Sequence, residues 1–338
     1  MVLATGPTNS ATRSFISPAA LLVKVIAKIS NGLIFLRAIK NAIRRVKTRV
    51  FPEPAPATTN NGVPLWITAA ACCGFSALSS GSSDMRSGFY KSWETTPVEP
   101  RDDKEISRIL VVNAHPDDAD FGVGGTVAKL AAKGIEITYV CCTNGDQGGE
   151  ESGVPQAEMA ATRQREQRDA AKVLGVKDVI YLNYRDGHLE PTIGLRKDIV
   201  RQIRIHKPDR MMIQSPERNW DRIGASHPDH LAAGEAAIQA VYPDARNPFA
   251  FMDLKNEEGL EPWRVKEVWV YAHHSPDYWV DITDTFDKKI AALNAHVSQT
   301  AHNPELGKMV REWGERNAGV GGLPVGRIAE AFKIVNTD

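Results

Sequence analysis

The chain lacks most of what would mark it as secreted, nucleic-acid-binding or membrane-spanning. Cysteine is scarce: 4 of 338 residues, standing as the adjacent pairs Cys72–Cys73 and Cys141–Cys142. Neighbouring cysteines rarely bridge, and this spacing is neither a disulfide framework nor a CxxC metal knuckle, which fits a reducing compartment. Cys141 and Cys142 are read as small apolar residues closing a strand. Charge of one sign is also missing, since Lys and Arg balance Asp and Glu at 41 each. The balance is uneven along the chain, because residues 1–50 contain nine Lys and Arg and no acidic residue. An acidic body remains, which argues against a nucleic-acid surface as the main function. The uncharged apolar run at residues 65–78 falls short of the roughly 20 residues a spanning helix needs. No Gly-x-Ser-x-Gly nucleophile elbow occurs. Gly122-x-Gly124-Gly125 does not match a dinucleotide fingerprint, and two carboxylates stand where a pyrophosphate would bind.

What is present divides into three parts. Residues 1–51 place Val25, Ile26, Ile29, Leu33, Leu36, Ile39, Ile43 and Val46 at helical spacing with Lys and Arg between them. A basic amphipathic helix of this kind suits peripheral contact with an anionic membrane, or organelle targeting. Residues 52–104 read as a linker, expected to be disordered, with the short apolar run inside it. Residues 105–338 read as a folded catalytic domain, expected in the cytoplasm. There, Ile109-Leu110-Val111-Val112 is a continuous apolar run, as in a strand covered on both faces. Further strands are expected at residues 135–142, 179–182, 210–214 and 265–271. Helices are expected at 123–133, 157–174, 193–206, 228–241 and 285–298. The alternation predicts an α/β, Rossmann-like, mainly parallel sheet with helices on both faces. Such sheets place ligands beyond the carboxyl ends of their strands.

Two motifs stand at those ends. Ala114-His115-Pro116-Asp117-Asp118 follows the first strand, and His227-Pro228-Asp229-His230 opens a later helix. His115 and Asp118, three apart, can converge on one cation while Asp117 stays unligated, and His230 can add a third ligand. Two His and one carboxylate with an open fourth position describe a catalytic zinc site. Taken singly, each motif is explained equally well as a helix cap. Their shared position and composition favour the metal. Beside the cation, Asp117 can take a proton from water, and a cationic His227 can support an oxyanion or a departing amine. Asp229 is expected to orient His227 and raise its pKa.

In this order and context the two motifs resemble those of the PIG-L/LmbE-like zinc de-N-acetylases, over residues 108–282. The resemblance implies a Rossmann-like hydrolase that removes the acetyl group from an N-acetylglucosamine-containing substrate. It implies His115, Asp118 and His230 as zinc ligands, Asp117 as general base, and His227 as acid or oxyanion stabiliser oriented by Asp229. Arg163 matches an arginine lining the family's substrate pocket, and Asp186 a carboxylate that binds sugar hydroxyls. The loop 144–149 is read as a close approach to sugar or a mobile turn. Ala225 stands where the mycothiol branch carries a tyrosine. Two rivals stay open: a zinc amidase acting on a thiol conjugate or other N-acyl glycoside, and a non-catalytic metal-containing sugar-binding module. His273 and His274 end a strand without an assigned role, and His296 is given none.

Overall fold

The computed structural model describes residues 98–149 and 153–337. The expected amphipathic helix and most of the expected linker lie outside them. The strands are β1 (Arg108–Asn113), β2 (Glu136–Thr143), β3 (Asp178–Tyr184), β4 (Arg210–Gln214), β5 (Glu267–Tyr271), β6 (Tyr278–Asp281) and β7 (Ala329–Asn336). The helices are α1 (Asp118–Ala131), α2 (Gln156–Leu174), α3 (Ile193–His206), α4 (Pro228–Gln239), α5 (Met252–Asn256), α6 (Phe286–Ala295), α7 (Val297–Thr300) and α8 (Leu306–Val320). All seven strands form one sheet in the order β3-β2-β1-β4-β5-β7-β6. The first five are parallel, whereas β7 runs antiparallel to both β5 and β6.

The apolar run of β1 is buried on both faces, as its composition requires. Ile109 and Val111 join a core with residues of α1, α2 and α6, while Leu110 and Val112 join a second core with residues of α3 and α4. Each such side chain contributes about 1.5–3 kcal/mol on burial. The result is the α/β, mainly parallel sheet with helices on both faces that the alternation predicts.

Three features depart from expectation. Helix α1 starts at Asp118, five residues before the expected start, although Gly122, Gly124 and Gly125 lower its intrinsic helicity. Tertiary packing demands two of these glycines: a Cβ at Gly122 would meet Tyr271 at 2.5 Å, and one at Gly125 would meet Ile282 at 2.5 Å. Strands β6 and β7 and helix α8 lie where no element is expected. Polar residues interrupt β7, whose Lys333 and Val335 are only half-buried, so it shows no apolar run. Finally, the end of the expected linker is tied to the domain. The Arg101 amide donates to Glu267 at 2.9 Å, and Asp103 pairs with the buried Arg210 at 2.9 Å.

Helix α4 is pressed onto the carboxyl end of β4. A Cβ at Gly234 would lie 2.3 Å from the Gln214 carbonyl oxygen and 2.9 Å from the Pro216 nitrogen. In an open helix Gly→Ala gains about 1 kcal/mol. Here Gly234→Ala is expected to cost about 1–3 kcal/mol through overpacking against backbone, read as a lower urea midpoint at unchanged slope. A raised midpoint would contradict the contact.

Candidate metal centre

Strands β1 and β4 are neighbours, and the strand order reverses around them, so the crevice beyond their carboxyl ends is the usual ligand position of an open α/β sheet. The two ends are joined directly, since the Ala114 amide donates to Gln214 Oε1 at 2.8 Å. The segment 114–118 leaves β1 and the helix-opening segment 227–230 faces it. His115 Nδ1 lies 3.2 Å from His230 Nε2. Asp118 reaches both, with Oδ2 3.3 Å from His115 Nδ1 and Oδ1 3.0 Å from His230 Nε2. Ligands on a tetrahedral cation with bonds of about 2.0–2.1 Å stand about 3.3 Å apart, so this donor set fits one small divalent ion. The rest of the site agrees. His115 Nε2 lies 3.1 Å from Asp186 and 3.2 Å from Asp229. Those carboxylates take its N–H and leave the Nδ1 lone pair facing Asp118 and His230.

The electrostatics also favour a cation. Asp117, Asp118, Asp186 and Asp229 surround the centre, and the buried guanidinium paired with two of them is Arg163. In the metal-free protein, burial alone would lower the His115 pKa. Asp118, with hydrogen bonds to Asp186 and Asp229, overrides burial and pushes it up to about 12. Asp118 is held well below the usual carboxylate range, since the attraction of His230 and His115 outweighs burial. Asp117 moves the other way, to about 6, through burial that Arg163 only partly offsets. Its backbone sits at φ 93°, ψ −31°, a conformation costing an L-residue on the order of 1–3 kcal/mol. Its carboxylate is 3.3 Å from Arg163 Nη2.

His227 is the N-cap of α4, its Nδ1 accepting the Asp229 amide at 3.2 Å. The proton of the neutral ring is therefore on Nε2, which makes His227 a donor and leaves no free lone pair for a metal. One of its nitrogens lies within 4.8 Å of ring nitrogens of His115 and His230. Two expectations need correction here. The Asp229 carboxylate does not orient the His227 ring: it accepts from the Gly187 amide at 2.8 Å and the Leu189 amide at 3.2 Å, and supports His115. Burial and the charges of His115 and His230 lower the His227 pKa despite Asp229, opposite to the rise expected from Asp229.

Arg163 and Asp186, expected to meet substrate, are both buried. Arg163 donates to the carbonyls of Pro116 at 2.7 Å and Gly145 at 3.1 Å. Asp186 accepts from the Gln147 amide at 3.2 Å, besides its contact with His115. Both brace the centre from behind. The loop 144–149 uses its glycines for the same purpose, since a Cβ at Gly148 would strike Arg163 Nη1 at 2.3 Å. Gln167 was not foreseen as functional. Helix α2 carried the signal: Arg163, Glu166 and Gln167 lie on its buried face with Met159, Ala170 and Leu174, where the period calls for apolar residues.

His273 and His274 stack at 4.7 Å, with Glu217 Oε2 3.3 Å and 3.4 Å from one nitrogen of each. His273 Nδ1 already accepts the Ser275 amide at 3.0 Å. In the neutral ring its Nε2 then carries the proton and offers no lone pair, so the cluster is poorly suited to a cation.

Replacing Arg163 separates bracing from substrate contact. Arg163→Met is expected to destabilise the fold by about 3–5 kcal/mol, as for loss of one partner of a buried pair, measured by urea unfolding. A raised KM at unchanged stability would restore the substrate-binding role.

A sequence pattern described as PIG-L, GlcNAc-PI de-N-acetylase, matches residues 110–241. The diacetylchitobiose deacetylase of Thermococcus kodakarensis is 35% identical over 195 residues, covering 58% of this chain and 71% of that protein. A probable N-acetyl-alpha-D-glucosaminyl L-malate deacetylase 2 of Bacillus cereus is 32% identical over 201 residues, covering 57% and 83%. Among solved structures, the N,N'-diacetylchitobiose deacetylase of Pyrococcus horikoshii in complex with its inhibitor MPG superposes with a TM-score of 0.65 at 30% identity, covering 78% of this chain and 95% of that one. With these matches set on the His115–Asp118–His230 centre, the chain belongs to the PIG-L family of de-N-acetylases.

Proposed function

We propose that the chain is a zinc-dependent hydrolase that removes the acetyl group of an N-acetylglucosamine-containing substrate. The observation that carries this is the triangle of His115 Nδ1, His230 Nε2 and Asp118, with edges of 3.0–3.3 Å, beside the unligated Asp117. Names of relatives support the substrate class: diacetylchitobiose and N-acetylglucosaminyl malate.

His115, Asp118 and His230 would hold the ion. Zinc there supplies Lewis acidity, which makes water nucleophilic near neutral pH and polarises an amide carbonyl. Asp117 accepts the proton of the attacking water, and its position under burial and Arg163 keeps it a base rather than a ligand. His227 presents its Nε2–H to the negative oxygen that develops at the attacked carbonyl. Acting as a neutral donor, it does this without competing for the metal. Asp117, having taken the water proton, is the group that returns it to the departing amine. Arg163, Asp186 and Asp229 do not meet the substrate; they fix the turn after β1 and the ring of His115.

Under the same reading, residues 105–338 constitute the catalytic domain and the basic N-terminal segment is not needed for chemistry. Among the described residues no helix is long and apolar enough to cross a membrane. A second reading, a binding module that keeps the metal, is disfavoured by the strained Asp117 and the oriented His227, since binding alone requires neither.

The purified protein is expected to bind one zinc and release acetate from N,N'-diacetylchitobiose or a GlcNAc glycoside. Full turnover after exhaustive chelation would reject this. Asp117→Asn should keep zinc and lose kcat by about 10²–10⁴, the usual worth of a general base. His230→Ala should lose zinc, whereas His227→Ala should keep it and lose about 10²–10³ in kcat. Equal zinc loss in both histidine variants, by elemental analysis, would overturn the ligand set.

A further inference from the structure

Beneath the turn after β1 lies a set of polar side chains that the chemistry above leaves unused. Asp120, Tyr139, Gln167 and His296 all have zero exposure. The Asp117 amide donates to Gln167 Oε1 at 2.7 Å, and Gln167 Nε2 donates to Asp120 Oδ2 at 2.8 Å. His296 Nε2 meets the same Asp120 oxygen at 2.7 Å, while the Tyr139 hydroxyl donates to Asp120 Oδ1 at 3.3 Å. His296 Nδ1 has no hydrogen-bond partner. If packing were the only requirement, an apolar residue would fill that place without burying an unpaired nitrogen.

We infer that His296, Asp120 and Gln167 form a buried chain of hydrogen bonds that holds the main chain of Asp117 in its left-handed conformation, which makes Gln167 and His296 positioning residues for the base. The inference rests on the proposed role of Asp117.

The direction of each bond follows from donor and acceptor types. Gln167 must turn its oxygen to the Asp117 N–H, so its NH2 group must face Asp120. Asp120 therefore has to accept, and it accepts from both Gln167 and His296 on one oxygen. His296 closes the chain with its Nε2–H. Reversing the Gln167 amide would set N–H against N–H at Asp117 and oxygen against carboxylate at Asp120, so the orientation is locked from both ends. At the far end stands Asp117, whose φ of 93° is disfavoured for any side chain other than glycine. A conformation of that kind persists only where its surroundings over-determine it. The Gln167 bond at the amide and the Arg163 contact at the carboxylate, 3.3 Å, are two such constraints. If the amide is released, the main chain relaxes toward negative φ and swings the carboxylate away from the attacking water. Misplacement on the scale of an ångström is costly in rate.

The network also ties the site to helices α6 and α7. Ser298, two residues beyond His296, donates through its amide and hydroxyl to Glu166 at 2.8 and 2.6 Å. Glu166 neighbours Gln167 on α2, so helices α6 and α7 are clamped against the face of α2 that supports Asp117.

The test compares Gln167→Met, His296→Leu and His296→Gln in the zinc-loaded full-length protein. Gln167→Met and His296→Leu should lose kcat by about 10–100-fold, as typical for residues that orient a catalytic group, with KM within about twofold and zinc content unchanged. His296→Gln, which can keep a donor toward Asp120, should recover most of that loss. Amide hydrogen exchange on the segment 114–121 should show a protected Asp117 N–H in the parent and rapid exchange in Gln167→Met. Unchanged kcat with only a lower melting temperature, loss of zinc, or a His296→Gln variant as slow as His296→Leu would overturn the inference. If the parent shows no deacetylation, the functional proposal fails by itself, and exchange alone decides: equal protection in parent and Gln167→Met overturns the chain of bonds, and lost protection sustains it.

Discussion

Strands β1 and β4 lie side by side and end at the same edge of the sheet, and the contact between those two ends governs everything built there. His115 and His230 are 115 positions apart in the chain, yet their ring nitrogens stand 3.2 Å apart. Two local contacts make this possible. The Gln214 side chain holds the Ala114 amide, so the turn after β1 is registered against the end of β4. Helix α4 then approaches so closely that only a glycine fits at position 234 beside the Gln214 carbonyl. The opening of α4 is thereby fixed relative to the turn after β1. A site with edges of about 3 Å tolerates little slack between its halves, and packed backbone supplies that rigidity better than side chains.

Charge sets the second condition. Four aspartates face two imidazole rings and one guanidinium at the same site. Their mutual repulsion in low dielectric disfavours the assembly unless positive charge enters it. His115 responds by holding its proton far above the ordinary histidine range. A divalent cation at its Nδ1 would meet the same demand, with the two supporting carboxylates compensating the ring from Nε2. The arrangement also explains why Arg163 is turned inward. Facing outward it would attract substrate, but the carbonyls of Pro116 and Gly145 and two carboxylates would lose their buried donor.

The sequence made the central sheet legible because parallel strands covered on both faces must be continuous apolar runs, and β1 and β4 are such runs. Helix α3 and strand β4 match the expected ranges 193–206 and 210–214 to the residue. The antiparallel pair β6–β7 left no comparable trace, since partly exposed strands mix Lys333 and Glu330 with apolar residues. At the site, the motifs revealed which residue types gather, but not which way their hydrogen bonds run. The family resemblance pairs Asp229 with His227, whereas its carboxylate reaches across to His115. Arg163 and Asp186, which the resemblance implies as substrate contacts, are buried and hydrogen-bonded to the turn after β1 and the loop 144–149. His296 and Asp120, 176 positions apart, meet at 2.7 Å, a pairing no local pattern encodes.

The short segment 227–230 shows how much of the division of labour follows from one helix terminus. His227 precedes Pro228 at the first helical position, where a missing N–H costs nothing. Capping the Asp229 amide commits His227 Nδ1 as an acceptor and so leaves the proton on Nε2. Three residues later, almost one helical turn, His230 lies beside it, with ring centroids 5.2 Å apart. Its Nε2 faces Asp118 at 3.0 Å. Under the proposed function the two histidines of this motif have different duties, one as proton donor and one as electron-pair donor. The difference arises from a single backbone hydrogen bond. A ring that caps a helix through Nδ1 cannot also offer Nε2 to a metal without breaking the cap, which in the proposed reading keeps His227 from becoming a fourth ligand. That keeps a position open at the centre, and an open position is what separates a metal site that can turn over substrate from one that only stabilises a fold.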